Sequence, residues 1–176
     1  MKKILAFAGS TSSTSINKKL VTYAAENLKN TTYDLIDLRD FELPIFSEDK
    51  QKEDGFPKDV IRFTNLLDNY DGFVLSLAEH NGSYAAAFKN IFDWSSRIKN
   101  NVFREKPLLL MAASPGGRGG KSVLEAAVSR FPRNGAGEIV TFSLPNFSDN
   151  FKNGELVKED FKKQLFDAIQ EFEKLI

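Results

Sequence analysis

The stretch Lys3-Ile4-Leu5-Ala6-Phe7-Ala8-Gly9-Ser10-Thr11-Ser12-Ser13-Thr14-Ser15-Ile16-Asn17 decides the fold, because it joins three kinds of local structure. It begins with an apolar run of strand length and continues into a loop with six consecutive hydroxyl residues. Beyond it, Leu20, Ala24 and Leu28 recur at a spacing of four, which predicts a helix with one core-facing stripe. A buried strand that leads through a polar loop into a helix is the first part of a βαβ unit.

Four more apolar runs follow along the chain, separated by loops and helix-like patterns. The five predicted strands are Lys3–Ala8, Tyr33–Leu38, Gly72–Leu77, Pro107–Ala113 and Glu138–Leu144. Besides the helix after the first loop, helices are predicted over Asp59–Asn69, Ala87–Ser95, Gly120–Phe131 and Glu159–Ile176. The polar stretches Ser47–Gly55 and Asn146–Gly154 are predicted to be surface loops.

Alternating strands and helices predict an α/β fold in which helices cover both faces of a parallel sheet, making a three-layer sandwich. For five parallel strands joined by right-handed crossovers, the commonest compact order is 2-1-3-4-5, that of the flavodoxin-like fold. Residues 1–176 are expected to form this single domain. The fold places a ligand crevice outside the carboxyl ends of the strands, where the loops that follow them meet.

Composition excludes several classes of function. The chain has no cysteine, which removes disulfides, thiolate metal sites and a cysteine nucleophile, and a cytoplasmic location is expected. Its 24 basic and 24 acidic residues cancel, which gives no support to a nucleic-acid partner. The N-terminal apolar run stops at Gly9, too early for a signal peptide, and no stretch approaches the ~20 apolar residues of a membrane span. We therefore expect neither nucleic acid nor a membrane as a partner.

The hydroxyl-rich first loop, Gly9–Asn17, is a candidate phosphate site. Hydroxyl side chains, free backbone N–H groups and the positive end of a helix dipole together suit a phosphate dianion. The loop contains no lysine or arginine that would add charge. The alternative is that the loop only caps a helix, for which Thr14 or Ser15 alone would suffice. Six hydroxyls in succession exceed what a cap needs, which favours phosphate binding.

The second loop, Ala78-Glu79-His80-Asn81-Gly82-Ser83-Tyr84, is a candidate site for a flat heteroaromatic ring. Asn81 can both donate and accept, and Gly82 allows close approach of the backbone. His80 and Tyr84 offer flat faces for stacking. Because His80 is the only histidine, neither a catalytic triad nor a histidine metal site is expected, and stacking is favoured over acid-base catalysis.

Other side chains near the second loop have open roles. Glu79 is a solvated charge, a partner for Lys89 or a ligand contact, and the pattern does not separate these. Phe88, Phe92 and Trp94 are expected in the core or in an interface between subunits.

The third loop, Ser114–Ser122, has glycine at positions 116, 117, 119 and 120. A tight turn needs only one or two glycines, so this run favours contact between the backbone and a ligand. The end of the loop, Gly120-Lys121-Ser122, resembles the end of a P-loop, but Pro115 stands where that motif requires its first glycine. We therefore do not expect a P-loop.

In this order, the three loops resemble the NADPH-dependent FMN reductase family over nearly the whole chain. The family's first motif, G-S-x-R-x-x-S-x-N, binds the FMN phosphate, and here Ser12 replaces its arginine. The second motif, P-E-Y-N-G-S, contacts the flavin ring, and here Ala78 and His80 replace its proline and tyrosine. The cofactor-binding residues that the resemblance implies are Ser10, Ser12, Ser15, Ile16, Asn17, Glu79, His80, Asn81, Gly82, Ser114, Gly116, Gly117 and Gly120.

The resemblance implies an FMN-dependent oxidoreductase. NADPH or NADH would deliver hydride to bound FMN, which would pass electrons to a small-molecule acceptor such as a quinone, an azo compound or free flavin. Because the flavin carries this chemistry, no catalytic side chain and no metal ligand is predicted. Ser12 in place of arginine predicts weaker FMN binding unless a cation from elsewhere replaces it. Members of the family are usually homodimers or homotetramers, and Phe88, Phe92 and Trp94 are candidates for such an interface.

Two alternatives stay open at this point. A flavodoxin-like electron carrier or FMN-binding module would share the fold and lack NAD(P)H activity. Such a carrier is expected to have an acidic docking surface, whereas this chain is neutral. A phosphate-binding protein without flavin would stay colourless in the presence of FMN.

Overall fold

The computed structural model describes every residue, Met1–Ile176. Its strands are β1 (Lys2–Gly9), β2 (Thr31–Ile36), β3 (Gly72–Leu77), β4 (Glu79–His80), β5 (Ser83–Tyr84), β6 (Lys106–Ala113), β7 (Ala136–Leu144), β8 (Phe151–Lys152) and β9 (Glu155–Leu156). Its α-helices are α1 (Ile16–Glu26), α2 (Glu48–Asp54), α3 (Lys58–Leu67), α4 (Ala86–Ile98), α5 (Lys121–Arg130), α6 (Phe147–Asn150) and α7 (Glu159–Lys174). Two 3-10 turns are Leu38–Asp40 and Phe131–Asn134.

Five strands form one parallel sheet in the order β2-β1-β3-β6-β7, which confirms the predicted order 2-1-3-4-5. The central strands are apolar because helices cover both of their faces. β3 is buried at every residue, and β1 is buried after its first two residues. The edge strand β2 has no fully buried residue. It ends two residues before the predicted limit, because Leu38 belongs to the following 3-10 turn.

Each face of the sheet has its own hydrophobic core. On one face, Phe63 of α3 and Phe88 of α4 pack among side chains that include Leu5 of β1. On the other face, Leu20 of α1 and Phe172 of α7 pack among alternate residues of the same strands. The central strands are therefore held from both sides, and the loops at their carboxyl ends start from rigid positions. None of the helices is both long and apolar enough to pass through a membrane.

The aromatic residues of α4 belong to the core. Phe88, Phe92 and Trp94 are only 2%, 6% and 0% exposed within the single chain. Buried rings of this kind cannot form a surface for a second subunit, so the predicted interface role of these three residues is wrong. The alternative core role is confirmed.

The polar side chains of α4 anchor the segment that follows the second strand. Asn90 donates to the carbonyl oxygen of Pro44 at 3.0 Å and accepts from the N–H of Phe46 at 2.9 Å. The indole N–H of Trp94 donates to the same Pro44 oxygen at 2.8 Å. These bonds hold the segment against α4.

The first predicted surface loop, Ser47–Gly55, is on the surface but contains helix α2, so the loop prediction is wrong. The hydroxyl of Ser47 caps this helix by accepting from the N–H of Lys50 at 3.1 Å. None of the helical residues is buried. A serine cap followed by Glu48 and Asp49 is a helix start that could have been recognised in the sequence.

The second predicted surface loop, Asn146–Gly154, is also wrong, because it contains α6 and one strand of the hairpin β8–β9. Phe147 and Phe151 stack with ring centroids 4.9 Å apart and are both buried. Two phenylalanines four residues apart were the available signal that this segment packs against the core.

Candidate functional site

Three loops meet at one edge of the sheet. Loop 1 (residues 10–15) follows β1, loop 2 (residues 78–85) follows β3, and loop 3 (residues 114–120) follows β6. β1, β3 and β6 are adjacent and parallel, so their carboxyl ends lie side by side. The structure thus brings the three predicted site segments to one place.

Several hydroxyl groups stabilise loop 1 itself. Ser15 is the N-cap of α1, and its Oγ accepts from the N–H of Lys18 at 3.1 Å, as the cap alternative predicts. The Oγ of Ser10 accepts from the N–H of Ser12 at 3.2 Å. The Oγ of Ser12 accepts from the N–H of Thr14 at 3.3 Å. A hydroxyl that accepts in this way keeps its own hydrogen for a further bond.

Loop 1 and the first turn of α1 also present free backbone donors. The N–H groups of Thr11, Ser13, Ile16 and Asn17 donate to no acceptor within the protein. Free N–H groups at a helix N-terminus attract an anion through hydrogen bonds and through the helix dipole. Capping by Ser15 and anion binding are therefore compatible in this loop.

Asn17 is buried, and its side chain is bound inside the protein. Its Oδ1 accepts from the hydroxyl of Ser76 at 2.7 Å and from the N–H of Ala113 at 2.8 Å. Its Nδ2 donates to the carbonyl oxygen of Ala113 at 3.3 Å. Since Ser76 lies in β3 and Ala113 ends β6, the side chain fastens the start of α1 to both strands. A ligand would meet the backbone N–H of Asn17, and the prediction that Asn17 binds a cofactor rests on that group.

Loop 2 is a small β-hairpin. β4 and β5 pair antiparallel, with Glu79 opposite Tyr84. Asn81 and Gly82 form the two-residue turn, with φ values of 52° and 74°. A type I′ turn requires positive φ at both positions, and Asn-Gly is the pair that adopts it most readily. A Cβ added at Gly82 would meet nothing within 4 Å, so backbone conformation and not space accounts for this glycine.

The two aromatic rings of loop 2 lie in different environments. His80 is exposed. The ring of Tyr84 lies 5.7 Å from that of Phe88 and 6.1 Å from that of Phe131, measured between centroids. Burial raises the pKa of the Tyr84 hydroxyl. Tyr84 is thus half-buried against the aromatic core, and His80 is the ring that is exposed for stacking on a ligand.

Glu79 connects loop 2 to the helix behind loop 3. Its Oε2 accepts from the N–H of Val123 at 3.0 Å, in the first turn of α5. Because the N-cap of α5 is Gly120, which has no side chain, Glu79 supplies the acceptor from a different loop. Lys89 pairs instead with Asp93 at 2.7 Å, so the pairing of Lys89 with Glu79 is wrong.

Two glycines of loop 3 are required by the fold. Gly119 and Gly120 have φ values of 62° and 75°. An added Cβ would lie 2.2 Å from the Oγ of Ser143 at the first position and 2.6 Å from the Cβ of Ala112 at the second. These glycines allow the chain to turn tightly into α5, so Gly120 has a structural role whether or not it also contacts a cofactor.

The other two glycines have no such requirement. Neither Gly116 nor Gly117 has a left-handed backbone. An added Cβ would meet nothing within 4 Å at Gly116. At Gly117 it would meet only the Oδ1 of Asn146, 4.0 Å away. The backbone N–H groups from Gly116 to Gly120 donate to no acceptor within the protein. The hydroxyl of Ser114 donates to the carbonyl oxygen of Gly116 at 2.9 Å, which orients the start of the loop. An open surface with free donors suits the face of a ligand.

Two cations lie beside loop 1, both bound to Asp37. Arg39 donates from Nη2 to Asp37 Oδ2 at 2.7 Å, and Lys18 donates to the same oxygen. The hydrogen bond from Arg39, with the further one from Lys18, holds the pKa of Asp37 well below its usual range. Asp37 and Arg39 are absent from the sequence-predicted site. Their signal was a pair of charged residues at the carboxyl end of the second predicted strand, Asp37 inside the predicted range and Arg39 just after it, at the edge of the sheet where the three loops lie.

A cleft of about 690 Å³ opens between loop 1 and the segment after β2. Thr11 lines the loop side, and Asn90 lines the side formed by α4. Arg39 and Glu42 are its charged residues. The cleft extends the candidate site beyond the three predicted loops.

Known proteins share this sequence pattern. A family model described as NADPH-dependent FMN reductase matches residues 2–149. The quinone reductase of Escherichia coli strain K12 is 34% identical over 79 residues, which make up 45% of this chain and 42% of that relative. The match thus spans less than half the length of that relative. The NAD(P)H-dependent FMN reductase of Pseudomonas aeruginosa is 31% identical over 115 residues, 65% of this chain and 60% of the relative.

A solved structure shares the fold over its full length. The flavoenzyme NAD(P)H:(acceptor) oxidoreductase of Paracoccus denitrificans superposes with a TM-score of 0.78 at 22% identity. The superposition covers 99% of this chain and 97% of that one. This likeness confirms the flavodoxin-like architecture.

Proposed function

The chain belongs to the NADPH-dependent FMN reductase family, and from that premise we propose that it is an FMN-dependent NAD(P)H oxidoreductase acting on small-molecule acceptors. One observation carries the proposal. Loop 1 and loop 3 each present a set of backbone N–H groups without acceptors, at the ends of strands in one sheet. A phosphate ester joined to a flat ring with hydrogen-bond acceptors matches two such sets.

Loop 1 suits the phosphate of FMN. The free N–H groups of Thr11, Ser13, Ile16 and Asn17 are the donors that a dianion needs at a helix N-terminus. The hydroxyl hydrogens of Ser10 and Ser15 add further donors of the kind that phosphate oxygens accept. We propose that Ser12, which stands at the family's arginine position, contributes a neutral hydroxyl.

Loops 2 and 3 suit the ring. Gly116 and Gly117 leave an open surface that a side chain would otherwise cover. The N–H groups from Gly116 to Gly120 can donate to acceptor atoms along the ring edge. Ser114 belongs to the same loop, and Asn81, Gly82 and the exposed ring of His80 face the site from the hairpin in this proposal.

When bound, FMN supplies the ring that accepts hydride from NADPH or NADH and returns electrons to the acceptor. The residues of the chain bind and orient this group. The free N–H donors of loop 3 would stabilise negative charge on the ring, and a preorganised backbone would do so without reorientation. Glu79 keeps the start of α5 in place through Val123. No side chain of the three loops is needed as an acid or a base.

We propose a quinone as the acceptor, with azo compounds and free flavin as further candidates. The name of the Escherichia coli relative, a quinone reductase, supports this class. The open surface near Gly116 and Gly117 would admit flat acceptors of different shapes, since no side chain limits the space there.

Assembly into a homodimer or homotetramer stays a prediction. Phe88, Phe92 and Trp94 are buried in the single chain. The apolar residues that are exposed include Ile45, at 76%, and Ile61, at 42%. We propose these side chains for a subunit contact, and light scattering of Ile45→Lys protein beside the wild type would test it. An unchanged molar mass would contradict the role of Ile45.

The activity is tested in two steps. Purified protein is first incubated with FMN, desalted and examined for flavin absorbance, and we expect it to retain FMN. The loaded protein then receives NADPH or NADH with a panel of quinones, azo dyes and free flavin, and we expect oxidation of the nucleotide with at least one acceptor. Protein that stays colourless would contradict the flavin site. Retained FMN without any turnover would favour an electron carrier.

A further inference from the structure

A positively charged side chain lies beside loop 1, although the loop itself has none. β1 and β2 are parallel, with Phe7 opposite Ile36, so the residues that follow each strand continue next to each other. The 3-10 turn Leu38–Asp40 therefore starts beside loop 1, and Arg39 is its central residue. Arg39 and Thr11 line the same cleft.

Asp37 orients Arg39. The Nε of Arg39 donates to both carboxylate oxygens at 3.1 Å, and Nη2 donates to Oδ2 at 2.7 Å. These bonds occupy one edge of the guanidinium, and Nη1 makes no hydrogen bond within the protein. A planar guanidinium that is bound along one edge presents its remaining N–H groups in a defined direction. The Asp37 side chain is 14% exposed and that of Arg39 is 45% exposed, so the anchor is covered while the cation is accessible.

Lys18 is the second cation near loop 1, and its position differs. Its ammonium is bound to Asp37, and its side chain lines a separate groove together with Ser13. Of the two cations, only Arg39 lines the cleft that reaches Thr11. Arg39 is also the side chain with the donor geometry that fits two oxygens of one phosphate group.

We propose that Arg39, oriented by Asp37, binds a phosphate monoester dianion at the Thr11 side of loop 1. It would replace the arginine that the family's first motif has at the position of Ser12. The inference rests on the proposed function, because FMN carries such a phosphate, and NADPH carries another on its adenosine ribose. Glu42 lines the same cleft, and its negative charge repels an anion. The positive charge of Arg39 is therefore needed to offset that repulsion.

The test compares ligands that differ only in the phosphate. Dissociation constants of the apoprotein for FMN and for riboflavin are measured by flavin fluorescence, for the wild type and for Arg39→Gln. We expect Arg39→Gln to lower the affinity for FMN by about 10- to 100-fold, the range for losing a hydrogen bond between charged groups. The affinity for riboflavin should stay unchanged. Arg39→Lys keeps the positive charge without the paired donors of the guanidinium, and its affinity for FMN is expected to lie between those of the wild type and Arg39→Gln.

A second pair of ligands separates the two sources of phosphate. The KM for NADPH and for NADH is measured with FMN-loaded wild type and Arg39→Gln. If Arg39→Gln leaves FMN binding unchanged and raises the KM for NADPH alone, the phosphate monoester belongs to NADPH. If FMN and riboflavin weaken equally, or if neither FMN nor NADPH is affected, the proposal is overturned.

Two further variants serve as controls. Arg97→Gln removes an arginine that is also 45% exposed and ion-paired, to Glu48, and it should not change the affinity for FMN. Lys18→Gln tests the other cation, and a phosphate-specific loss with Lys18→Gln but not with Arg39→Gln would overturn the assignment to Arg39. Wild-type protein that binds neither FMN nor riboflavin would contradict the proposed function itself. Wild-type protein that binds FMN, together with an Arg39→Gln variant that changes neither the affinity for FMN nor the KM for NADPH, would contradict this inference alone.

If Arg39→Gln does not fold, Arg39→Lys takes its place in the FMN and riboflavin titrations, and the salt dependence of FMN binding to the wild type is a further check. A cation that contacts the phosphate makes the affinity for FMN fall with ionic strength more steeply than the affinity for riboflavin. Equal salt dependence for the two ligands would contradict the proposal.

Discussion

Glu79 accepts a hydrogen bond from the backbone N–H of Val123 at 3.0 Å, which connects the hairpin of loop 2 to the helix that begins after loop 3. The bond replaces the missing cap at Gly120. Both loops are proposed to contact one ring, and this carboxylate fixes the hairpin of loop 2 relative to the start of α5.

Glu79→Ala should lower the free energy of unfolding by about 1 kcal/mol, the usual cost of losing a helix cap. The affinity for FMN should fall as well, because loop 3 loses its connection to loop 2. Glu79→Gln keeps an acceptor and should lose less. Chemical denaturation and FMN titration measure both effects. Glu125→Ala, on the exposed side of the same helix, is the control and should stay within about 0.5 kcal/mol of the wild type. A stable Glu79→Ala protein with normal FMN affinity would refute this role.

Two glycine substitutions should separate binding from folding. Gly117→Val adds a side chain where only the Oδ1 of Asn146 lies at 4.0 Å, so the free energy of unfolding should change by less than about 0.5 kcal/mol. Its affinity for FMN should fall by about tenfold or more, which corresponds to at least ~1.4 kcal/mol. Gly120→Val brings a Cβ to 2.6 Å from Ala112 on a left-handed backbone and should destabilise the fold by about 1–3 kcal/mol. Normal FMN binding by Gly117→Val would argue against a ring at loop 3.

Asn17→Ala should be among the most damaging single changes in the site. It leaves the N–H of Ala113 and the hydroxyl of Ser76 without their acceptor, at a buried position. Each unsatisfied group costs about 1–3 kcal/mol, so we expect a loss of about 2–4 kcal/mol on denaturation. Asn27→Ala, which removes one hydrogen bond to Tyr23 at the end of α1, should cost less than about 1 kcal/mol. Equal losses for the two variants would mean that the Asn17 bridge adds little.

Asp37→Asn should lose stability in a manner that depends on pH. Arg39 and Lys18 depress the pKa of Asp37 in the folded protein. A depressed pKa stabilises the fold above the unfolded value of about 3.9, and this contribution disappears as the pH falls toward the folded value. The difference in unfolding free energy between wild type and Asp37→Asn should therefore be constant near neutral pH and shrink below about pH 4. Asp149→Asn, an exposed carboxylate without an ion-pair partner, should show no such trend. A difference that grows in acid would contradict the ion-pair assignment.

Ser12→Arg should tighten FMN. It restores a charge-assisted contact to phosphate, worth about tenfold in affinity. If Arg39 serves the same phosphate, the gain should be larger in an Arg39→Gln background than in the wild type, because one cation then replaces another. Fluorescence titration of the wild type, Ser12→Arg, Arg39→Gln and the double variant with FMN measures the gain in affinity in both backgrounds. An unchanged dissociation constant for Ser12→Arg would place the phosphate away from loop 1.

Much of the fold follows from local patterns. Strands such as Gly72–Leu77 are continuous apolar runs, and the topological preferences of parallel sheets leave few ways to order five of them. Composition does not reveal helix α2 or the packed segment around Phe147, because both stretches are rich in polar residues and their signals are local: the capping pattern at Ser47 and the spacing of the two phenylalanines.

The site was predictable in outline and not in its internal bonds. The three loops stand after predicted strands, so their meeting at one edge follows from topology. The hydrogen-bond partners of Asn17 and Glu79 do not follow from topology. Ser76, Ala113 and Val123 are distant from them in sequence and become neighbours only in the folded protein. The hairpin turn at Asn81 did have a local signal, an Asn-Gly pair with two residues on each side that can pair.

The side chain of Asn17 also makes the site observable from a distance. The amide hydrogen of Ala113 is donated to the side chain of Asn17, so its exchange with deuterated solvent depends on whether the start of α1 is docked. A ligand that holds loop 1 should slow exchange at the end of β6, even though β6 itself need not touch the phosphate. One amide in the middle of the protein thus reports the occupancy of a loop on another strand.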